Sequence, residues 1–312
     1  MLWLFRTIIL FLSLFIFTES HLSASEKSSK KTEKPSKSHK SKKYKYDLAI
    51  CAIFRDEAPY LQEWIEFHRM LGVQHFYLFN NLSSDNYKLV LAPYIKKKIV
   101  EVVDWTYKYH DITRWSPIQC SAYGTAIIEV KDKVKWLAIL DIDEFLFPTQ
   151  GNNLVEFLKE YEEFGAVAVN WQMYGTSNVA KIPEGKLLIE TLLYKAPKEY
   201  GENALIKSIV RPDRVKSCES PHCCYLLQPY SQVNENKEPF EGTTSPYVSI
   251  DKIRINHYWT RDEDFFNRVK IGRRQSWQEG TDGIINRKNN LNAEKDGAIL
   301  RFVPQLRKKI FE

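Results

Sequence analysis

From Tyr46 onward, apolar and polar positions change period in a regular order. The stretch "YDLAICAIF" is an almost unbroken apolar run of strand length, as expected for a strand covered on both faces. After "RDEAP", the segment "YLQEWIEFHRMLG" brings Leu61, Trp64, Ile65, His68 and Leu71 back at helical spacing, and Gly72 marks the stop. His68 reads as a packing residue on that helix face. "HFYLFNN" is a second strand and "YKLVLAPYIKK" a second helix, interrupted at Pro93. "IVEVVDW" is a third strand. A helix through "PIQCSAYGTAIIEVKDK" leads to a fourth strand, "WLAILDID". Four strand and helix alternations predict right-handed crossovers and an α/β fold: a mainly parallel, doubly wound sheet with helices on both faces.

In such sheets, ligands bind beyond the carboxyl ends of the strands. The polar groups "FRDE", "NNLSSD", "DWTY" and "DIDE" each follow a predicted strand and so should line one edge. Neither the dinucleotide glycine pattern nor the P-loop pattern occurs, so bound phosphates need another device. The run "KVKWLAILDIDEFLFP" suggests one. Asp141, Asp143 and Glu144 stand in a stretch apolar enough to be buried, where unpartnered carboxylates cost several kcal/mol or take up a proton. In D-x-D at a strand end, the first and third side chains point the same way and can approach one cation, with Mg2+ or Mn2+ suited to their oxygens. The bland alternative is surface carboxylates or a salt-bridged loop, and the convergence of the other strand-end groups argues against it. Glu144 reads as support or a cap beside the motif.

Beyond Leu154, "LVEFLKEYEEFG" reads as an amphipathic helix and "AVAVNWQMYG" as a strand. Trp171 and Tyr174 near its end are either core residues or a flat apolar face for a sugar or base. "ALIKSIVRPDRV" and "YVSIDKIRINHYW" are further strands, and "DEDFFNRVKIGRR" is a basic helix, with Arg268, Lys270, Arg273 and Arg274 as possible diphosphate contacts or an ordinary solvated face.

The chain has 312 residues, 44% hydrophobic and 13% aromatic, enough for one large domain with appendages. Its net charge of +6 does not mark a nucleic-acid binder, because nine lysines against two glutamates lie between Glu26 and Lys45 and the remainder is close to neutral. Residues 1–20 contain an apolar run from Thr7 to Thr18, read as a signal peptide or a membrane anchor. The lysines behind it would tend to stay cytoplasmic, which favours membrane association, with a secretory or periplasmic protein after cleavage as the alternative. Residues 21–45 read as a disordered Lys/Ser-rich linker. Of the five cysteines, Cys51 and Cys120 lie in apolar surroundings, and "CESPHCC" offers Cys218, His222 and Cys223 as a weak metal candidate lacking the second ligand pair of a zinc finger.

The runs "RDEAPYLQEWIEFHRMLGVQHFYLFNNLSSD", "QCSAYGTA", "KWLAILDIDEFLFP", "NWQMYGTS", "IVRPDRV" and "INHYWTRDEDFFNRVKIGRR" together resemble the family-92 glycosyltransferases, and more distantly family 2. The resemblance runs from Asp47 to Arg274. It implies a GT-A fold over residues 46–280, with a nucleotide-binding half at 46–150, an acceptor half at 151–280, and a C-terminal extension at 281–312. It also implies a metal-dependent inverting transfer of a hexose, galactose favoured, from a UDP-sugar to a glycan.

On that resemblance, Asp141 and Asp143 are metal and ribose contacts, and His257 completes the metal or diphosphate site. Arg55, Asp56, Glu57, Asn80, Asn81 and Asp85 form the pocket for base and ribose. His222 matches a family histidine, so it joins Trp171 and Tyr174 on the acceptor side without zinc. The proton-accepting base is unassigned among Asp213, Glu241, Asp262 and Asp264, because metal-bound carboxylates are poor bases. Two other function classes stay open: a non-catalytic nucleotide-sugar or glycan-binding module, and a metal-dependent phosphohydrolase.

Overall fold

The computed structural model describes residues 43–109 and 111–312. The expected signal peptide or anchor at 1–20, and all of the expected linker except Lys43–Lys45, lie outside the described residues. Among the described residues, no helix is long and apolar enough to cross a membrane.

The order of elements begins as the hydrophobic pattern predicts: β1 (Tyr46–Phe54), α1 (Ala58–Met70), β2 (His75–Asn80), α2 (Tyr87–Lys96), β3 (Val100–Asp104), α3 (Ile112–Val130) and β4 (Val134–Ile139). β1 shows why its sequence has no polar alternation. Leu48, Ile50, Ala52 and Phe54 pack with Leu61, Trp64 and Leu91 of α1 and α2, whereas Ala49, Cys51 and Ile53 pack with Ala122, Tyr123 and Ala126 of α3. Both faces are dry, so both sets of side chains must be apolar. Pro93 does not interrupt α2, which runs through it. The carbonyl four residues back belongs to exposed Leu89, where water can take the bond that Pro93 cannot donate. α3 starts earlier than its apolar pattern suggests, at a cap in which Asp111 accepts from the Arg114 N–H at 3.1 Å.

The second half is β5 (Glu144–Pro148), α4 (Leu154–Leu158), β6 (Ala166–Met173), β7 (Ile206–Val210), β8 (Gln232–Val233) and β9 (Ile253–His257), followed by α5 (Asp282–Asn289) and α6 (Val303–Phe311). The sheet order is β3-β2-β1-β4-β7-β6-β9-β5, with β8 beside β6. β1 to β4 pair in parallel, but β7 is antiparallel to β4 and β6, and β5 is antiparallel to β9. The sheet is therefore mixed, parallel throughout only in its first half. The amphipathic helix expected at "LVEFLKEYEEFG" is an α-turn that tightens to 3-10 at Lys159–Tyr161.

Only Leu140 to Asp143 separate β4 from β5, yet three other strands stand between them in the sheet. Four inter-strand steps in a flat sheet cover roughly 19 Å. The link contains a turn closed by the Glu144 N–H on the Asp141 carbonyl at 3.1 Å and cannot reach that far. The sheet must curl, and its far edge returns to β4. α1 covers the outer edge of β5: His68 Nε2 accepts from the Leu146 N–H at 3.1 Å, and Trp64 Nε1 donates to the Glu144 carbonyl at 2.8 Å. His68 is thus a packing residue that also completes the backbone bonding of a strand.

Residues 281–312 are not a mere extension of a domain ending at 280. Leu291, Ile299, Phe302 and Leu306 are buried in the main core, and Asp296 makes a two-pronged ion pair with buried Arg254 of β9 at 2.9 and 2.8 Å. Their low hydropathy in sequence hid this, because a few anchors and one ion pair secure a mostly polar segment.

Candidate functional site

The curl delivers the start of β7 and the end of β9 to the Asp141–Glu144 turn. Lys207, the lone charge in the apolar run of β7, is 1% exposed and places Nζ 2.9 Å from Asp141 Oδ2 and 3.5 Å from Glu144 Oε1. Burial opposes its charge, but Asp141 and Glu144 outweigh it and raise its pKa. Glu144 is fully buried, which pushes its carboxyl well above the usual range despite Lys207. Its Oε2 accepts from the Asp141 N–H at 3.0 Å, so Glu144 shapes the turn. Gln119 and Tyr123 of α3 also point donors at Asp141, both at 3.3 Å.

Asp143 faces the other way, into a second set of groups. β9 pairs His257 with Glu144 in register, which leaves His257 Nε2 3.6 Å from Asp143 Oδ1. Lys270 Nζ, from a π-helical turn at Phe266–Ile271, lies 3.8 Å from Asp143 Oδ2. Burial works against ionisation of Asp143, yet His257, Lys270 and Arg261 hold its carboxyl well below the usual range. Burial pulls Lys270 down to about 8 against the attraction of Asp143. It also lowers His257, against the opposing pull of Asp143.

Arg261 is fully buried and pairs with Glu57. Its guanidinium lies 3.6 Å from the Tyr60 ring centroid, and, with Nη2 taken by Glu57, its Nε and Nη1 have no hydrogen-bond partner among the described residues. Trp171 backs His257, with ring centroids 4.3 Å apart, and His222 stands on its other side at 5.0 Å.

A family model described as glycosyltransferase family 92 matches residues 46–288. The chain belongs to glycosyltransferase family 92. Curated family-92 relatives include one from Oryza sativa subsp. japonica, 26% identical over 75% of this chain and 37% of its own length. Another, from Ricinus communis, is 26% identical over 77% of this chain and 40% of its own length. The chain thus spans about two fifths or less of the curated relatives it matches. Solved structures that overlap include S. aureus TarS 1-349 in complex with UDP, with 10% identity, TM-score 0.35, and coverage of 53% of this chain and 47% of that one. Glucosyl-3-phosphoglycerate synthase from Mycobacterium tuberculosis, in complex with Mn2+, UDP and glucosyl-3-phosphoglycerate, overlaps at TM-score 0.29 and 10% identity, covering 53% and 57% of the two chains. Overlaps this partial decide nothing about the ligand.

The family-92 chain brings together Asp141, Asp143, His257 and Glu57, with Trp171 and His222 beside them. Other expected site residues are engaged elsewhere. Asp56 Oδ1 accepts from the Ser84 N–H at 2.7 Å, and Asp85 Oδ2 accepts from the first N–H of α1, on Ala58, also at 2.7 Å. These bonds clamp the loops after β1 and β2 together, while Arg55 lies half exposed beside Asp56. Asn80 donates to Tyr87 and Asp104, and Asn81 to the Trp105 and Tyr107 carbonyls.

Tyr174 is fully buried with its hydroxyl against Arg254, so it offers no face to a sugar and takes the core role. Of the four base candidates, three are tied into other contacts and one is exposed. Asp213 bonds Tyr44 ahead of β1, at the opposite edge of the sheet. Asp262 accepts from the Phe265 and Ile182 N–H groups, Asp264 pairs with Arg268, and Glu241 sits in an exposed loop.

Among the described residues, no group of three or more His, Cys, Asp and Glu side chains is placed to hold a metal. Asp141, expected as a ligand, is taken up by Lys207. Asp143 and His257 do fit a divalent cation as a pair: their facing atoms are 3.6 Å apart, burial disfavours the imidazolium, and His257 Nδ1 is buried without a hydrogen-bond partner among the described residues. Mg2+ and Mn2+ are commonly held by one or two side chains, with substrate phosphates and water supplying the rest. Lys207 and Arg261 went unassigned in the sequence. A single charge inside an apolar strand was the available signal for Lys207.

Proposed function

We propose that the protein transfers a hexose, galactose in the first place, from a UDP-sugar to a glycan acceptor with inversion at the anomeric carbon. The observation that carries this reading is Asp143 facing His257 at 3.6 Å, with Lys270 and the unpartnered Nε and Nη1 of Arg261 beside them. Buried donors without acceptors at a strand-end edge suit an anion of diphosphate chemistry. Family-92 membership supports the reaction class.

Asp143 and His257 would hold Mn2+ or Mg2+. A divalent cation there supplies charge neutralisation for a departing nucleoside diphosphate. Arg261 and Lys270 bind and orient phosphate oxygens in a site shielded from water, where such contacts are strongest. Lys207 fixes Asp141 toward the ribose side, and Trp171 holds the His257 ring in place. The N-terminal apolar segment is proposed to attach the protein to a membrane.

Titration calorimetry of the folded full chain with UDP tests this directly, alongside transfer assays over UDP- and GDP-sugars. Binding should strengthen on adding Mn2+ and be lost in Asp143→Asn. UDP binding that ignores both the metal and Asp143, with no transfer from any donor, would sink the reading. An unaltered function in Asp141→Asn would favour a binding module, and phosphate release without an acceptor would favour a hydrolase.

A further inference from the structure

The short antiparallel ladder at Val215–Ser217 and Tyr225–Leu226 pairs Ser217 with Tyr225. The ladder's register shifts by one residue between Tyr225 and Leu226, and the next residues outward from the Ser217–Tyr225 pair are Cys218 and Cys224. Residues opposed in an antiparallel ladder have Cα atoms about 4.5–5.5 Å apart, inside the range a disulfide spans. Both cysteines are free, the Cys218 thiol donates to the Ser220 carbonyl at 3.5 Å, and the two thiols are near enough to perturb each other's ionisation. Cys218 is partly exposed and Cys224 is buried, so an attacking reagent reaches Cys218 first.

We propose that Cys218 and Cys224 are a disulfide-forming pair that closes the loop carrying His222. That loop, Glu219 to Cys223, is built against the site. His222 Nδ1 is 2.9 Å from the Ile206 carbonyl, its own carbonyl accepts from Ser208 Oγ at 3.0 Å, and its ring faces Trp171. Closing the ring would restrict the loop that holds this histidine against the strand that carries Lys207.

The chemistry is thiol–disulfide exchange with a low-molecular-weight disulfide such as oxidised glutathione. The Cys218 thiol gives up its proton and attacks one glutathione sulfur, releasing one reduced glutathione. The Cys224 thiolate then attacks the Cys218 sulfur and releases the second. Two protein thiols lose two electrons and two protons, and one glutathione disulfide becomes two thiols. The neighbouring Cys224 thiol lowers the Cys218 thiol, with Lys207 adding to the effect, which favours Cys218 as the first attacker. Cys223, one residue along, lies outside the opposed register, and Cys51 is fully buried on β1.

The test equilibrates the native full chain against a series of oxidised to reduced glutathione ratios, quenches with alkylating reagent, and maps residues 217–237 by mass spectrometry. The expected result is a loss of two hydrogens within that peptide, retained in Cys223→Ser and abolished in both Cys218→Ser and Cys224→Ser. Hydrogen exchange over 219–223 should slow by at least about tenfold on oxidation. Should a serine variant fail to fold, fragmentation of the oxidised wild-type peptide still locates the bond. A vicinal Cys223–Cys224 bond, a link to Cys120, or no oxidation even at the most oxidising ratio overturns the proposal.

Discussion

Lys207 places its ammonium 2.9 Å from Asp141 and 3.5 Å from Glu144 while almost wholly shielded from solvent. The charges that make the "DIDE" turn conspicuous are therefore compensated by the protein itself. Lys207→Met should leave Glu144 with a buried oxygen and no cation, and should destabilise the fold by roughly 3 kcal/mol. Urea unfolding measures this as a lowered midpoint at constant slope. Adding Glu144→Gln should recover part of the loss, and purely additive effects would contradict the coupling.

Asp143→Asn keeps the shape of the side chain but removes the charge that faces His257 and Lys270. Mn2+ affinity in the presence of UDP should fall at least about tenfold, read by calorimetry or by the spin resonance of free Mn2+. Equal affinity in variant and wild type would remove Asp143 from the proposed metal pair.

His68 sets an acid limb of stability. Burial drives its pKa down to about 3, against an unfolded value near 6.5. Between these values the unfolded chain binds the proton and the native state does not. Stability is therefore present above pH 6.5 and is lost as pH falls toward 3, by about 5 kcal/mol in all. In His68→Gln, stability should be lower at pH 7 because the bond from the Leu146 N–H is disturbed, and it should decline less on acidification. Wild-type and variant midpoints that fall in parallel from pH 7 to pH 4 would refute this origin.

Gly175 and Gly124 should respond oppositely to alanine. A Cβ on Gly175 would lie 2.1 Å from Asn292 Oδ1 and 2.8 Å from the Leu291 backbone carbon, whereas one on Gly124 meets nothing within 4 Å. Gly175→Ala should cost roughly 2 kcal/mol or more and loosen residues 281–312, visible as faster proteolysis there. Gly124→Ala, inside α3, should gain about 0.5–1 kcal/mol through helix propensity.

What the sequence made legible follows from the range over which each signal acts. The two dry faces of β1 and the strand-end carboxylates are local patterns, and six ordered motifs pointed to Asp143 and His257 as neighbours. The antiparallel insertion of β7 has no local signature, so Lys207 and its pairing with Asp141 stayed hidden. Tyr174 had the composition of a sugar platform but lies one residue past β6, where the chain turns inward beneath Arg254. Asp213 follows β7, and because that strand runs backward its end falls at the edge away from the site. Direction, which residue type does not encode, separated these candidates from the cluster.

The curl that joins β4 to β5 through four residues also orders events in time. Among the described residues β5 has no strand partner other than β9, and β9 begins at Ile253, more than a hundred residues after the turn it must meet. Loop closure over that span is slow compared with forming β1 through β4. Until β9 docks, Asp143 has no His257 to face. Formation of the Asp143–His257 pair during refolding is therefore a clock for the last strand to join the sheet.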